Sequence, residues 1–282
     1  MLIGAAAQKL TPVERGKAAG IINAGGSFGQ FVFAPITQGL ITALGWAGAM
    51  WALAATTLAA MPLVRKVAPA GPPPPKAAAH EALWPTVKGA FGDRSYILLH
   101  LGFFTCGFHI AFLVTHLPQE VNLCGLPATV ASWSIAIIGL PNIVGSLAAG
   151  TATSHYRSKM ILALMYGSRA VLIALYLVAP KTSTTFYIFA AGLGLTWLAT
   201  VPPTASIVGK LFGVRYLATL FGLTLLSHQI GGFLGAWLGG YLFERTGSYD
   251  WLWYIDIMLA VGAALIHMPI KEALQPRPAL AT

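Results

Sequence analysis

The stretch "MILALMYGSRAVLIALYLVAP", Met160 to Pro180, decides the fold. It is long enough, at about 20 apolar residues, to cross a bilayer as one helix. Yet Arg169, whose side chain stays charged at any physiological pH, sits near its middle. A charge in that position is costly in hydrocarbon and demands a partner inside the protein. Arg169 therefore predicts a bundle with a polar interior and not a single anchor.

Working outward, the rest of the chain reads the same way. Of 282 residues, 56% are apolar and only 9% are charged, with a mean hydropathy of +0.72. Soluble domains carry about 25% charged residues to cover their surface. Eight segments are long and apolar enough to span: 18–41, 46–64, 96–117, 128–150, 160–179, 184–208, 216–242 and 250–269. Their length excludes a barrel, whose strands would be about 10 residues of alternating polarity. The expected fold class is an all-α membrane protein of eight transmembrane helices, with the lipid bilayer as its partner.

The net charge of +9 does not indicate nucleic acid, because the basic residues form no patch. They do fix an orientation. Lys9, Arg15 and Lys17 precede the first span. Arg65, Lys66, Lys76, Lys88 and Arg94 fill the loop after the second. Arg157 and Lys159, Lys210 and Arg215, and Lys271 and Arg277 occupy the remaining connections and tail on that side. The opposite side holds Lys181 and Arg245. Both termini are thus expected in the cytoplasm. Organisation follows: residues 1–64, a loop 65–95, a six-helix block 96–270 and a tail 271–282. The proline run in "APAGPPPPK" favours an extended spacer, and a short surface helix fits the residues after it. No leader peptide is visible at the start.

Cys106 and Cys124 form no C-x-x-C pair and read as packing residues. Gly231, Gly235 and Gly239, and likewise Gly25 and Gly29, lie four apart and suggest close helix contacts. There is no H-E-x-x-H, G-x-S-x-G or Walker loop, so no enzyme, metal site or cofactor is expected.

Three stretches carry a family resemblance. "RGKAAGIINAGGSFGQFVFAP" (Arg15 to Pro35) resembles the fifth helix of major facilitator superfamily transporters in the oxalate/formate and monocarboxylate carrier branch. "CGFHIAFLVTHLP" (Cys106 to Pro118) resembles the seventh helix. "LFGVRYLATLFGLTLLSHQIGGFLGAWLGGYLFERTGSYD" (Leu211 to Asp250) resembles the tenth loop and eleventh helix. The eight spans would match helices five to twelve, with "MLIGAAAQKLTPVERG" resembling the end of helix four and the first four helices lacking. A central site in this superfamily is built between two halves, so the resemblance implies that the chain does not transport alone. The loop "GTATSHYRSK" (Gly150 to Lys159) has Ser154 and His155 where the family places an acid and an arginine, so its usual ion-pair network is not expected.

By a rise of about 1.5 Å per residue, His109, Trp197, His228, Gln229, Asn142 and Gln30 fall near the midplane. The resemblance places His109 and Trp197 on the solute path, with Gln30, Asn142 and His228 bordering it. His116, two turns from His109, would lie near the outer mouth; with Asp256 these are candidates for proton coupling. Each also has a structural reading as a hydrogen-bonded helix contact. Arg169 is either an anion-attracting charge or a structural one, held by carbonyls or by Asp256. The expected function is secondary active transport by alternating access of a small solute, an organic anion or monocarboxylate, coupled to protons, in a bacterial inner membrane. A truncated membrane protein that packs or regulates without transporting is the alternative. The orientation has a direct check. A cysteine placed near Ser248 should react with a membrane-impermeant thiol reagent from outside, and one near Pro74 should not; the reverse pattern refutes the topology.

Overall fold

The computed structural model describes residues 2–59, 62 and 76–272, and every element among them is helical. The helices are α1 (Leu2–Lys9), α2 (Pro12–Ala59), α3 (Lys76–Gly92), α4 (Arg94–Leu123), α5 (Ala128–Ala152), α6 (Ser158–Val178), α7 (Ser183–Gly194), α8 (Val201–Phe212), α9 (Leu217–Thr246) and α10 (Asp250–His267). Six helices among the described residues are long and apolar enough to cross a membrane. They account for the eight expected segments in two ways. The segments 18–41 and 46–64 run together in α2, broken at Gly45, whose φ of 69° suits a residue without a Cβ. The segment 184–208 is not continuous: α7 ends at Gly194 and α8 begins at Val201. The expected surface helix is α3; the proline spacer, the end of the second segment and the tail beyond Glu272 lie outside the described residues.

Packing follows the small residues. Helix α9 lies along α4 because Gly231, Gly235 and Gly239 present no side chain there. A Cβ on Gly231 or Gly235 would strike the carbonyls of Phe104 or Phe108, and one on Gly239 the His116 ring. Gly107 admits the His228 carbonyl in return. The first part of α2 docks on α5 through Gly16, Gly20 and Gly150. The expectation for Gly25 and Gly29 is corrected, since neither has a neighbour where its Cβ would be; polar residues on another face of α2 make the contact instead. Trp46, Met50, Trp51 and Leu58 beyond the Gly45 break are exposed, as suits a lipid-facing surface.

The core has two clusters stacked along the bundle axis. One gathers Phe112, Tyr176, Phe186, Trp197 and Trp253; the other gathers Tyr96, Phe103, Cys106, Tyr166 and Leu220. Ile110 and Leu198 border both.

At the Lys- and Arg-rich end, one carboxylate ties several helices. Glu272 accepts from the backbone N–H of Ser158 (2.9 Å) and Lys159 (3.0 Å), the first residues of α6, and from Lys210 Nζ of α8 (2.5 Å). The side chain is only 1% exposed. A carboxylate at a helix N-terminus also meets the positive end of the helix dipole. Lys159 Nζ in turn donates to the carbonyls of Met268 (2.7 Å) and Ile270 (2.8 Å) just past α10. Burial pushes the Glu272 carboxyl up, but Lys210 and the two backbone donors outweigh it and hold the group below the ordinary carboxylate range. With a depressed folded pKa, its stabilisation is fully present above the unfolded value of about 4.3 and is lost as pH falls through the folded one. Glu272→Gln should cost about 2 kcal/mol near neutrality. In thermal unfolding scans the gap between wild type and variant should hold from pH 7 to about 5 and narrow below about 4; a gap that widens on acidification contradicts the clamp.

Candidate functional site

The break between α7 and α8 organises the interior. Inside a bilayer a non-helical stretch must find partners for its backbone groups. The segment 195–200 does so almost residue by residue. Thr196 and Trp197 donate to Leu193 O and Gly194 O, and Val201 and Thr204 to Leu198 O and Thr200 O. Pro202 and Pro203 carry no N–H to satisfy. The remaining groups are met by side chains from other helices. Arg169 Nη2 donates to Thr196 O (2.8 Å) and Trp197 O (3.2 Å). Asn23 Nδ2 donates to Leu198 O (2.8 Å), and Leu198 N to Asn142 Oδ1 (3.0 Å). Gly145 leaves room for the Leu195 carbonyl.

Of the two partners open to Arg169 in the sequence, the structure gives it carbonyls. Asp256 is taken by His109: its Oδ2 is hydrogen-bonded to His109 Nδ1. Trp197 places its ring edge toward His109, with centroids 5.7 Å apart. Arg169 also lies 5.4 Å over the Tyr166 ring, and Tyr166 stacks on His267 at 5.2 Å. Arg169, His109 and Asp256 are all fully buried. Several of their polar atoms make no bond to the described residues: Arg169 Nε and Nη1, His109 Nε2, Asp256 Oδ1 and Tyr166 Oη. Cys106, also buried, lies beside them with Sγ 3.3 Å from Thr200 Oγ1. The two cysteines are free.

The other expected residues separate into three places. Gln30 donates to Ile135 O (3.0 Å) and Asn142 to Ser27 Oγ (2.6 Å), so both bridge α2 and α5. Asn23 and Ser27, which sequence reasoning passed over, share that face of α2, and Asn23 also donates to Ser146 Oγ (2.7 Å). Their spacing of four and then three to Gln30 was the available signal. His228 is half-buried against Phe103, bonds to Gln229, which is exposed, and meets Cys106 at the edge of the His109 cluster. His116 lies toward the far end of α4, with Nε2 donating to Ala236 O (2.8 Å) and Nδ1 3.2 Å from the Tyr249 hydroxyl. Phe112 packs against His116, whose bonds run to α9 and to Tyr249 and not to His109.

Glu120 is a second residue missed from sequence. The predicted span stopped at 117, whereas α4 continues to Leu123 and carries Glu120 into the bundle. Its carboxylate accepts from Tyr176 Oη (2.5 Å) and Trp253 Nε1 (3.1 Å), joining α4, α6 and α10. Lys181 covers the Tyr176 ring at 3.8 Å.

The family model of the Major Facilitator Superfamily matches residues 1–236 and 122–281. The chain belongs to this superfamily. It is 27% identical to monocarboxylate transporter 13 of Rattus norvegicus, and 28% identical to that of Bos taurus. Each alignment covers 91% of this chain and 60% of the relative. It is 22% identical to an uncharacterised MFS-type transporter of Bacillus subtilis, over 62% of this chain and 44% of the relative. The chain therefore spans about 60% of the length of the mammalian relatives. Membership makes it an integral membrane protein of a transporter family.

Arg169→Ala should remove the donors to Thr196 and Trp197 and destabilise the bundle by about 3 kcal/mol. Arg169→Lys should recover part of that, since a lysine lacks the planar fork. Expression level and thermal unfolding in detergent check both. An alanine variant that stays as stable as wild type and loses anion binding would assign Arg169 to the solute and not to the break.

Proposed function

We propose that this protein is a secondary carrier of a small organic anion, of the monocarboxylate type, coupled to protons and working by alternating access. The observation that carries the reading is the buried His109–Asp256 pair in the same interior cluster as Arg169. An imidazole and a carboxylate bonded within a bundle hold one proton between them and exchange it when water reaches them. His109 Nε2 and Asp256 Oδ1 are the atoms left free to do so. The relatives' names, monocarboxylate transporters, support the solute class.

The charge of Arg169 supports an anion over a cation. A carboxylate about 8 Å from a guanidinium gains about 2 kcal/mol at an effective dielectric constant of about 20. In this reading Arg169 clamps the α7–α8 break and biases the neighbouring path toward anions, while Trp197 and His109 line it. Gln30 and Asn142 hold α2 against α5 beside the path, and His228 and Gln229 form its rim. Residues 1–64 and 96–270 belong to the two halves of the carrier, with 65–95 as the connection. The Lys- and Arg-rich end faces the cytoplasm, in a bacterial inner membrane, and His116 lies toward the outer mouth. The alternative of a packing or regulatory protein has no observation of its own in the fold.

Uptake of a labelled short-chain monocarboxylate tests the proposal in membrane vesicles where the chain is supplied together with helices that complete the other half of the carrier, since the site is built between two halves. Wild-type uptake should rise as the outside is acidified. His109→Ala and Asp256→Asn should lower uptake at least tenfold and flatten its dependence between about pH 5 and 8, where histidine titrates. Variants with wild-type uptake and an unchanged pH profile would rule out the pair as the proton carrier. Uptake no higher than in vesicles without the protein would rule out the carrier itself.

A further inference from the structure

A cavity of about 50 Å³ lies at the Lys- and Arg-rich end, where α1, α2, α8 and α9 meet. Its wall is built mostly of small or apolar residues such as Ala7, Gly16 and Ala205, and among the described residues it contains Arg15, Ser206 and Lys210 but no acid. Arg15 is locked in place: its Nε donates to the carbonyls of Ala7 (2.9 Å) and Leu10 (3.1 Å). Those bonds use only Nε and engage neither terminal amino group.

A second donor reaches the same space. Lys210 Nζ donates to Ser158 Oγ (3.3 Å), and the Ser158 hydroxyl donates to Ser206 Oγ (3.1 Å). Ser206 is thus an acceptor in this chain, and its own proton is free to point into the cavity. The chain begins at an ammonium, which polarises each hydroxyl after it. Glu272 balances the charge of Lys210 from outside the cavity, so the uncompensated positive charge there is that of Arg15.

We propose that this cavity is an oxyanion-binding site, with Arg15 and Ser206 as its donors. The volume admits a phosphate-sized group and excludes an acyl chain or a ring. The ligand chemistry is that of a phosphate monoester or diester, supplied either by a free anion or by an anionic lipid headgroup at the bilayer surface. The site is separate from the His109 cluster and does not depend on which solute is carried.

Thermal unfolding of the full chain in a neutral detergent tests this, with inorganic phosphate and short-chain phosphatidylglycerol as probes and chloride at matched ionic strength as control. At saturation at least one probe should raise the wild-type Tm by about 5 °C. A rise with phosphate assigns a free anion, and a rise with phosphatidylglycerol alone assigns the headgroup. Arg15→Gln should abolish the rise, but it also loses the contacts to α1. Ser206→Ala removes only a hydroxyl at the end of the chain, keeps the fold, and should at least halve the rise. The proposal is overturned if neither probe exceeds the chloride control, or if Ser206→Ala responds as the wild type does.

Discussion

The interior depends on one constraint: a helix interrupted at membrane depth must have its backbone groups met by other helices. The break at 195–200 exposes carbonyls that water cannot reach. Arg169 from α6, Asn23 from α2 and Asn142 from α5 supply the bonds. That requirement brings three helices to the same place and accounts for an arginine in an otherwise apolar span. One amino group of the guanidinium, Nη2, serves both adjacent carbonyls, held in place by the rigid plane of the group.

Once Arg169 is committed to the break, Asp256 is available to His109. Two charged groups that could have paired with each other instead each serve a different partner, and each keeps unbonded atoms. A fully satisfied cluster would be inert scaffolding. One with free atoms on a histidine, an aspartate and an arginine retains the capacity to take up a proton or respond to an approaching anion. The proposed chemistry is therefore a consequence of how the broken helix is held.

The helical fold was legible in the sequence because its signals are physical and local: apolar length and charge asymmetry between connections. The candidate residues were legible in part. His109, Asp256 and Arg169 stood out as costly groups in oily surroundings. The break in the span 184–208 did not, since "GLTWLATVPP" is apolar enough for a continuous helix and only its paired prolines hint at an interruption. Which partner Arg169 takes was unreadable for the same reason. Asn23 and Ser27 are ordinary polar residues until α5 is laid against them. Glu120 was hidden by a helix that runs six residues beyond its apolar core, where Tyr176 and Trp253 supply the donors that let a carboxylate be buried. The clamp at Glu272 lies more than a hundred residues from the helix end it caps, and no local pattern in the sequence reveals it.

The account turns on the break being closed by side chains and not open to solvent. Hydrogen–deuterium exchange of peptides covering 193–204, with the protein in lipid nanodiscs, measures this directly. The account predicts slow exchange at Thr196, Trp197 and Leu198, comparable with the flanking helices, and rapid exchange in Arg169→Ala. Rapid exchange across the segment in the wild-type protein would contradict it.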